Sequence, residues 1–121
     1  MVAYNFQSQF APLVESGEKR QTFRVLGKRR HARPGDSLQL YTGMRTKACR
    51  KLVTPDPVCL FSSPVFIVPF GTKSPVMLEG DADYPHPDRF ARDDGFIDFD
   101  DLLCWLAQTH GLPFDGQLIK W

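Results

Sequence analysis

Apolar residues near the amino terminus recur at the spacing of a helix. They are Phe6, Phe10, Leu13 and Val14, and polar residues lie between them. Gly17 follows, and glycine is typical of a helix carboxyl terminus because it adopts a left-handed backbone without steric cost. The pattern therefore predicts a first helix over residues 7–16.

After Gly17 the hydrophobic period changes from that of a helix to two. Apolar and polar residues alternate in the segment QTFRVL, residues 21–26. In a strand with this alternation, Phe23 and Val25 face the core and the residues between them face the other side. We therefore expect Thr22 and Arg24 to lie on one face of a strand.

Glycine and proline divide the middle of the chain into a loop and several short strands. The loop is GKRRHARPGD, residues 27–36, in which a Pro-Gly-Asp turn signal follows a run of basic residues. Strand character follows in SLQLYTGM (37–44), RTKACRKLVTP (45–55) and PVCLFSSPVFIVPFG (57–71). Several short strands bounded by proline are typical of a small barrel or a strongly curled sheet.

The clearest helix lies near the carboxyl end of the chain. The stretch EGDADYPHPDR, residues 79–89, is acidic and proline-rich and is predicted to be a loop before it. The helix has an apolar stripe of Phe99, Leu102, Leu103 and Leu106, a cap at Asp98, and His110 and Gly111 at its end. The final GQLIKW, residues 116–121, is predicted to return as a strand.

The remaining aromatic residues and the cysteines are expected in the core. Trp105 and Trp121 are predicted to lie in the core or at its edge, and core packing is also the default for Phe61, Phe66 and Phe70. For these three phenylalanines the alternatives are an apolar lip beside a cleft or an oligomer contact. Buried thiols are expected at Cys49, Cys59 and Cys104, since their spacing indicates neither a disulfide framework nor a zinc site.

Length and composition are those of a single α+β domain, residues 1–121. Hydrophobic residues make up 42% of the chain and charged residues 24%. Apolar runs are too short to span a bilayer, and the amino terminus lacks the pattern of a signal peptide. We therefore expect a cytoplasmic protein without a membrane partner.

The net charge of +1 conceals an asymmetry between the two halves of the chain. Residues 1–51 contain eleven basic and three acidic residues, whereas residues 52–121 contain four basic and eleven acidic ones. A positive surface formed by the first half is expected to attract phosphate, and hence nucleotides or nucleic acid. Ion pairing between the halves within one domain is the alternative, and composition does not separate the two.

The segment GEKRQTFR, residues 17–24, places a lysine, a threonine and an arginine where the chain turns from helix to strand. A threonine hydroxyl becomes a nucleophile when a base removes its proton, and Lys19 is such a base if burial and neighbouring positive charge favour its neutral amine. Thr22 and Arg24 would face the same cleft. From spacing alone, however, a solvated charged turn is favoured over a reactive site.

The order of these residues resembles that of the ASCH domain, a small relative of the PUA RNA-binding fold. A helix, the pattern G-x-K-x-x-T-x-R at Gly17 to Arg24, a Gly-Asp turn and a strand follow one another as in the family. A second block, RFARDDGF at residues 89–96, is similar to the family segment A-x-x-[DE]-G-F before its last helix. Residues 52–86 have no match. The resemblance implies a PUA-like curled β-barrel of about five to six strands with two to three flanking helices.

The resemblance also implies an activity, because compact bacterial members of the family include an amidohydrolase that removes the acyl group from acetylated cytidine. In that enzyme a threonine attacks, a lysine is the base and a glutamate before the last helix assists. These roles are carried over to Thr22, Lys19 and Asp94, with Asp93 as the neighbouring acid. An aspartate, one methylene shorter, stands here in place of the glutamate. No metal or organic cofactor is required.

RNA binding without catalysis and RNA cleavage are the two alternative functions. In a non-catalytic RNA-binding module, Lys19 and the arginines would contact phosphate and Tyr41 would stack on a base, although core packing is favoured for this tyrosine. The arginines nominated for substrate binding are Arg24, Arg29, Arg30 and Arg45. RNA cleavage has the least support, since His31 is the one histidine in the basic half. The expected partner is a modified nucleoside or RNA, and the expected state is a monomer or weak homodimer.

Overall fold

Two β-sheets and three helices make up the described part of the chain, residues 2–69, 75–78, 82–84 and 86–121 of a computed structural model. The helices are α1 (Ala11–Ser16), α2 (Pro87–Asp93) and α3 (Phe99–Thr109). The strands are β1 (Val2–Phe6), β2 (Gln21–Val25), β3 (Leu38–Thr42), β4 (Arg50–Lys51), β5 (Phe61–Ile67), β6 (Val76–Leu78), β7 (Ala82–Asp83) and β8 (Phe114–Lys120). The predicted α+β class is confirmed.

The strands pair as one sheet of three and one of five. The smaller sheet has the order β1-β3-β4, with β1 parallel and β4 antiparallel to β3. The larger sheet has the order β2-β8-β5-β6-β7 and is antiparallel throughout. The predicted last strand is therefore confirmed as β8, near the centre of the larger sheet. These pairings do not confirm a barrel.

The predicted helix over residues 7–16 is wrong in its first half. Residues 7–10 form a turn instead of a helix. Before them, Val2, Tyr4 and Phe6 are buried and alternate with more exposed residues in β1, a strand beside β3 that was not predicted. Helix α1 begins only at Ala11, with a proline in its first turn, where the missing proline N–H has no intrahelical partner to lose. Gly17 caps the helix with φ 84°, as predicted.

Strand β2 is confirmed, but the predicted burial of Val25 is wrong. Phe23 is buried, whereas Val25 is 49% exposed, because its end of the strand opens onto two cavities. Leu38 and Leu40 of β3 are fully buried, as the alternation in that segment predicted. The predicted strand segment over residues 45–55 forms only β4, a strand of two residues.

The carboxyl-terminal third contains a helix that the pattern did not predict. Residues 87–93 form α2, which overlaps the predicted loop over 79–89 and begins with a proline. Helix α3 is confirmed, and the side chain of Asp98 caps it by accepting a hydrogen bond from the N–H of Asp101 at 2.9 Å. None of the helices in the described ranges combines the length and apolar character that crossing a bilayer demands.

Two phenylalanines and two cysteines that were expected in the core are exposed. Phe61 and Phe66 are 37% and 36% exposed, and Phe70 lies outside the described residues. Of the cysteines, only Cys59 is buried, and Cys49 and Cys104 are exposed. The core instead gathers side chains from both sheets and from all three helices. It includes Val14, Leu38, Leu40, Ile67, Phe90, Leu102, Leu106 and Leu118.

Candidate functional site

A cavity of about 300 Å³ brings the predicted catalytic residues together. Lys19 precedes β2, Thr22 and Arg24 lie on β2, and Asp94 follows α2, and all four line this cavity. Aromatic side chains form much of its wall, so we call it the aromatic cavity: Phe6, Phe10, Phe23, Phe96 and Trp105, with His110 beside them. A site assembled from two distant parts of the sequence therefore exists in the fold.

Lys19 is buried and paired with Asp94. Its side chain is 3% exposed, and Nζ donates to Asp94 Oδ2 at 2.9 Å and to the backbone oxygen of the same residue. The capped turn after α1 sets its position, since the Lys19 N–H donates to the Leu13 oxygen at 3.0 Å. The ammonium also lies 5.1 Å from the centre of the Phe10 ring.

Asp94 is held at the end of α2 by contacts on both of its carboxylate oxygens. Gln21 Nε2 donates to Oδ1 at 3.3 Å, while Lys19 binds Oδ2. Gly95, which follows, has φ 98°, and a Cβ there would lie 3.2–3.3 Å from Phe10, Leu13 and Lys19. The chain can therefore turn tightly against Lys19 only because residue 95 is glycine.

Burial shifts both members of this pair towards their neutral forms. Loss of hydration lowers the pKa of Lys19, and the nearby carboxylate of Asp94 opposes that change. Burial likewise raises the pKa of Asp94 to about 6, and the hydrogen bonds from Lys19 and Gln21 oppose it. A proton is therefore more easily exchanged at this pair than at an exposed lysine and aspartate.

The Thr22 hydroxyl is buried beside Arg24 and accepts a hydrogen bond from its Nε at 3.0 Å. The guanidinium of Arg24 lies 5.2 Å from the Tyr4 ring centre and 4.8 Å from that of Phe6. Burial lowers the pKa of Arg24, with the charge of Asp94 opposing. Among the described residues, the lysine ammonium donates to Asp94 and not to the threonine, so a base role requires Lys19 to turn within the cavity.

The aromatic wall contains residues that sequence reasoning did not nominate. Phe10 and Phe96 have ring centres 5.3 Å apart, Phe96 and Trp105 5.5 Å, and Trp105 and His110 5.5 Å. Trp105 was expected in the core and His110 at a helix end, and both descriptions hold. The hydrophobic stripe of α3 does not indicate that Trp105 and His110 also line the aromatic cavity, because this wall forms only where α1 and α3 meet.

A second cavity, of about 380 Å³, contains the remaining predicted arginines. We call it the arginine cavity, because Arg24, Arg29, Arg30 and Arg45 line it. Asn5, Arg24 and Val25 belong to the walls of both cavities. The residues nominated for substrate binding are thus split between two neighbouring spaces, with Arg24 between them.

Tyr41, Asp93 and His31 do not contribute to the site as nominated. Tyr41 is half-buried on β3 and lines neither cavity, and Asp93 lies outside both, 3.9 Å from Arg89 Nε. His31 lines the arginine cavity, but both of its ring nitrogens are engaged, 3.1 Å from the Tyr4 hydroxyl and 3.0 Å from the Val25 oxygen. The structure therefore offers no free imidazole for RNA cleavage in the described part of the basic half.

A resident metal ion has no obvious place in the described ranges. No group of three or more His, Cys, Asp or Glu side chains is arranged there to bind one.

Comparison with known proteins gives no independent assignment. No protein-family model matches the chain, and neither a curated protein nor a solved structure matches it.

Proposed function

We propose that this protein hydrolyses the N-acyl amide of an acylated cytidine in the aromatic cavity. The observation that carries the proposal is the position of the Thr22 hydroxyl in the same small cavity as the buried Lys19–Asp94 pair. A nucleophile, a base of lowered pKa and a group that orients the base are the parts that covalent amide hydrolysis requires.

An ASCH-type domain with a PUA-like barrel is part of the same proposal. Its support is that the two sequence blocks that carry the resemblance meet at the aromatic cavity. The block G-x-K-x-x-T-x-R contributes Lys19 and Thr22 to this cavity, and the Asp-Gly-Phe segment contributes Asp94. A curled arrangement of the sheets is supported by Arg24 of β2, which lies over two rings of β1.

In the first half of the reaction, the acyl group passes from the base to the enzyme. The neutral amine of Lys19 takes the proton from the Thr22 hydroxyl, and the threonine oxygen attacks the acyl carbon. Arg24 already donates to this oxygen, so it favours the negative charge that develops there. The C–N bond then breaks as the exocyclic nitrogen of cytidine takes the proton from the Lys19 ammonium.

In the second half, water releases the acyl group. The amine of Lys19 accepts a proton from water, and the resulting hydroxide attacks the threonine ester. The Thr22 oxygen leaves and is reprotonated by Lys19, and a carboxylic acid departs. Asp94 positions the lysine between its turns towards Thr22, through its backbone oxygen and Oδ2. In this arrangement the shorter aspartate suffices, because it contacts Lys19 and does not have to reach the leaving group.

Hydrolysis of N4-acetylcytidine, followed by mass spectrometry, tests the proposal. Thr22→Ala and Lys19→Ala are expected to abolish turnover, Thr22→Ser to retain part of it, and Thr109→Ala, an exposed threonine of α3, to leave it unchanged. Circular dichroism checks that each variant is folded. Undiminished turnover in folded Thr22→Ala would rule out a threonine nucleophile, and no turnover by the wild-type protein would rule out the proposed activity.

A non-catalytic RNA-binding module is the second candidate, and the arginine cavity is the observation that favours it. Binding to a short single-stranded RNA, measured at increasing salt, is then expected to weaken steeply, and Arg24→Ala to weaken it further. Absence of RNA binding at low salt would eliminate this candidate.

A further inference from the structure

The arginine cavity adjoins the aromatic cavity. The two spaces share Asn5, Arg24 and Val25, which come from β1 and from the exposed end of β2. A molecule whose planar end lies against Phe96 and Trp105 would therefore extend over this shared wall. The shared residues form the boundary that one ligand has to cross.

The arginine cavity has an excess of positive charge that the described residues do not neutralise. Arg30 is paired with Asp36 at 2.9 Å, but Arg29 and Arg45 form no ion pair within the described ranges. No acidic residue lines this cavity in the same part of the chain. Several guanidinium groups around one space attract a phosphate, with which their N–H groups form charge-assisted hydrogen bonds.

The loop that carries Arg29 is fastened to both sheets. The Tyr4 hydroxyl accepts from the Ala32 N–H at 3.1 Å and lies 3.1 Å from His31 Nδ1, to which it can donate. The other ring nitrogen, Nε2, then carries the proton and donates to the Val25 oxygen at 3.0 Å. These contacts hold the basic loop against β1 and β2, so the cavity exists before a ligand binds.

The turn that carries Arg45 is fastened to β1 by a separate contact. Asn5 Oδ1 accepts from the Met44 N–H at 3.0 Å, which ties the turn after β3 to β1. Arg45 itself has φ 66°, a left-handed conformation that is strained for a residue other than glycine. This turn therefore places a strained arginine beside the boundary of the two cavities, where a ligand contact would offset the cost.

We propose that the arginine cavity binds the phosphate of the substrate, so that the substrate is an acylated cytidine monophosphate and not the free nucleoside. This inference rests on the proposed amide hydrolysis. The base lies in the aromatic cavity, the ribose crosses the wall at Asn5 and Arg24, and the phosphate meets Arg29 and Arg45. The dianion of a phosphate monoester matches two unpaired arginines better than the single charge of a phosphodiester.

A single nucleotide fits the charge of the chain better than a long nucleic acid does. The net charge is only +1, and the half that follows residue 51 is strongly acidic. A polyanion gains affinity from each phosphate that basic residues neutralise, which requires a track longer than one cavity. The arginine cavity, in contrast, supplies a local positive field for one phosphate.

The test compares kcat/KM for N4-acetylcytidine, its 5′-monophosphate and an acetylated trinucleotide. The wild-type protein is expected to prefer the monophosphate over the nucleoside by at least tenfold, and added salt to reduce this ratio. Arg29→Gln and Arg45→Gln are expected to bring the ratio towards one, whereas Arg33→Gln, an exposed arginine of the same loop outside the cavity, keeps it.

The outcomes separate the two proposals. Nucleoside hydrolysis with a ratio near one overturns the phosphate site and leaves the proposed function intact, and preference for the trinucleotide overturns the assignment to a mononucleotide. If no substrate is hydrolysed, the proposed function fails. Calorimetric titration with cytidine 5′-monophosphate then tests whether the arginine cavity binds a phosphate. Binding that is weakened in Arg29→Gln but not in Arg33→Gln supports it, and absence of binding overturns it.

Discussion

The two cavities use charge in opposite ways. In the aromatic cavity, Lys19 and Asp94 are paired out of contact with water, and burial moves the pKa of each towards its neutral form. At the arginine cavity, Arg30 of its wall pairs with Asp36 outside it, and this ion pair is exposed, with side-chain exposures of 49% and 25%. Hydrogen bonds from the Arg33 N–H and from Arg30 hold the pKa of Asp36 below its usual range.

This difference separates proton transfer from anion binding. Burial lowers the pKa of Lys19 and raises that of Asp94, which makes a proton easier to pass to and from a neighbouring hydroxyl than at an exposed pair. Exposed arginines stay charged and attract anions, but they have no proton to exchange at neutral pH. Variants that change one region at a time, and a titration of one aspartate from each region, test whether the two regions differ in this way.

The largest effect is expected from Lys19→Met, which leaves the Asp94 carboxyl buried without its partner. Breaking a buried ion pair costs about 3–5 kcal/mol of unfolding free energy, measured by urea denaturation. The exposed counterpart, Arg30→Met, should lose far less, since water solvates the remaining carboxylate of Asp36. Equal losses in the two variants would contradict the contrast between the cavities.

A double variant distinguishes the stabilising from the catalytic role of this pair. Lys19→Met combined with Asp94→Leu replaces both charges by apolar groups, and such replacements are often neutral or stabilising. Stability should therefore recover while amide hydrolysis stays absent. Recovery of hydrolysis would show that the pair has no part in the reaction.

A smaller effect is expected from Gln21→Leu. Gln21 donates to Asp94 Oδ1 at 3.3 Å and to the Phe90 oxygen at 3.2 Å. Its loss leaves Oδ1 of the buried Asp94 without a donor, whereas the Phe90 oxygen still accepts from the Asp94 N–H at 3.2 Å. The expected cost is about 1–3 kcal/mol in urea denaturation, together with a further rise of the Asp94 pKa. Gln117→Leu is the matched control, since its partner Ser62 is half-buried and can bond to water.

Gln21 also illustrates how much of the site could be predicted from the sequence. The spacing of Lys19 and Thr22 and the resemblance to a family pattern identified two residues of the aromatic cavity, and the acid before α3 was the third. Gln21 lies between Lys19 and Thr22 in the sequence and was not nominated. On an alternating strand it is expected on the same face as Phe23, away from Thr22. Its burial depends on α2, a helix that the sequence pattern did not indicate.

The fold shows the same division between local and distant causes. Alternation and capping signals located β2, β3, α3 and β8, since each depends on neighbours in the sequence. The first helix was predicted to begin at residue 7 because Phe6 and Phe10 fit helical spacing, whereas α1 begins at Ala11. Phe6 instead belongs with Val2 and Tyr4 to a strand beside β3. Pairing with a strand more than thirty residues away leaves no mark in a short hydrophobic window.

The pH dependence of the two aspartates is expected to have opposite signs. Asp94 titrates near 6 instead of 3.8, so between these values the folded protein binds more protons than the unfolded chain, and its contribution to stability falls as pH rises. Asp36 has a lowered pKa, so its contribution is lost as pH falls below 3.8. Carbon-13 NMR of the two carboxyl groups measures both midpoints. Coincident midpoints would contradict the distinction between the cavities.

The smallest effect on stability is expected at Arg45, where φ 66° strains the backbone. Arg45→Gly relieves the strain but adds freedom to the unfolded chain, so the gain in unfolding free energy should not exceed about 1 kcal/mol. Arg45→Gln keeps the strain and removes the same charge. Both variants should lose the preference for a phosphorylated substrate, while only the glycine variant gains stability in urea denaturation. If Arg45→Gly kept the preference for the phosphorylated substrate, the arginine would be dispensable for phosphate binding. The strained turn at residue 45 would then serve the fold and not the ligand.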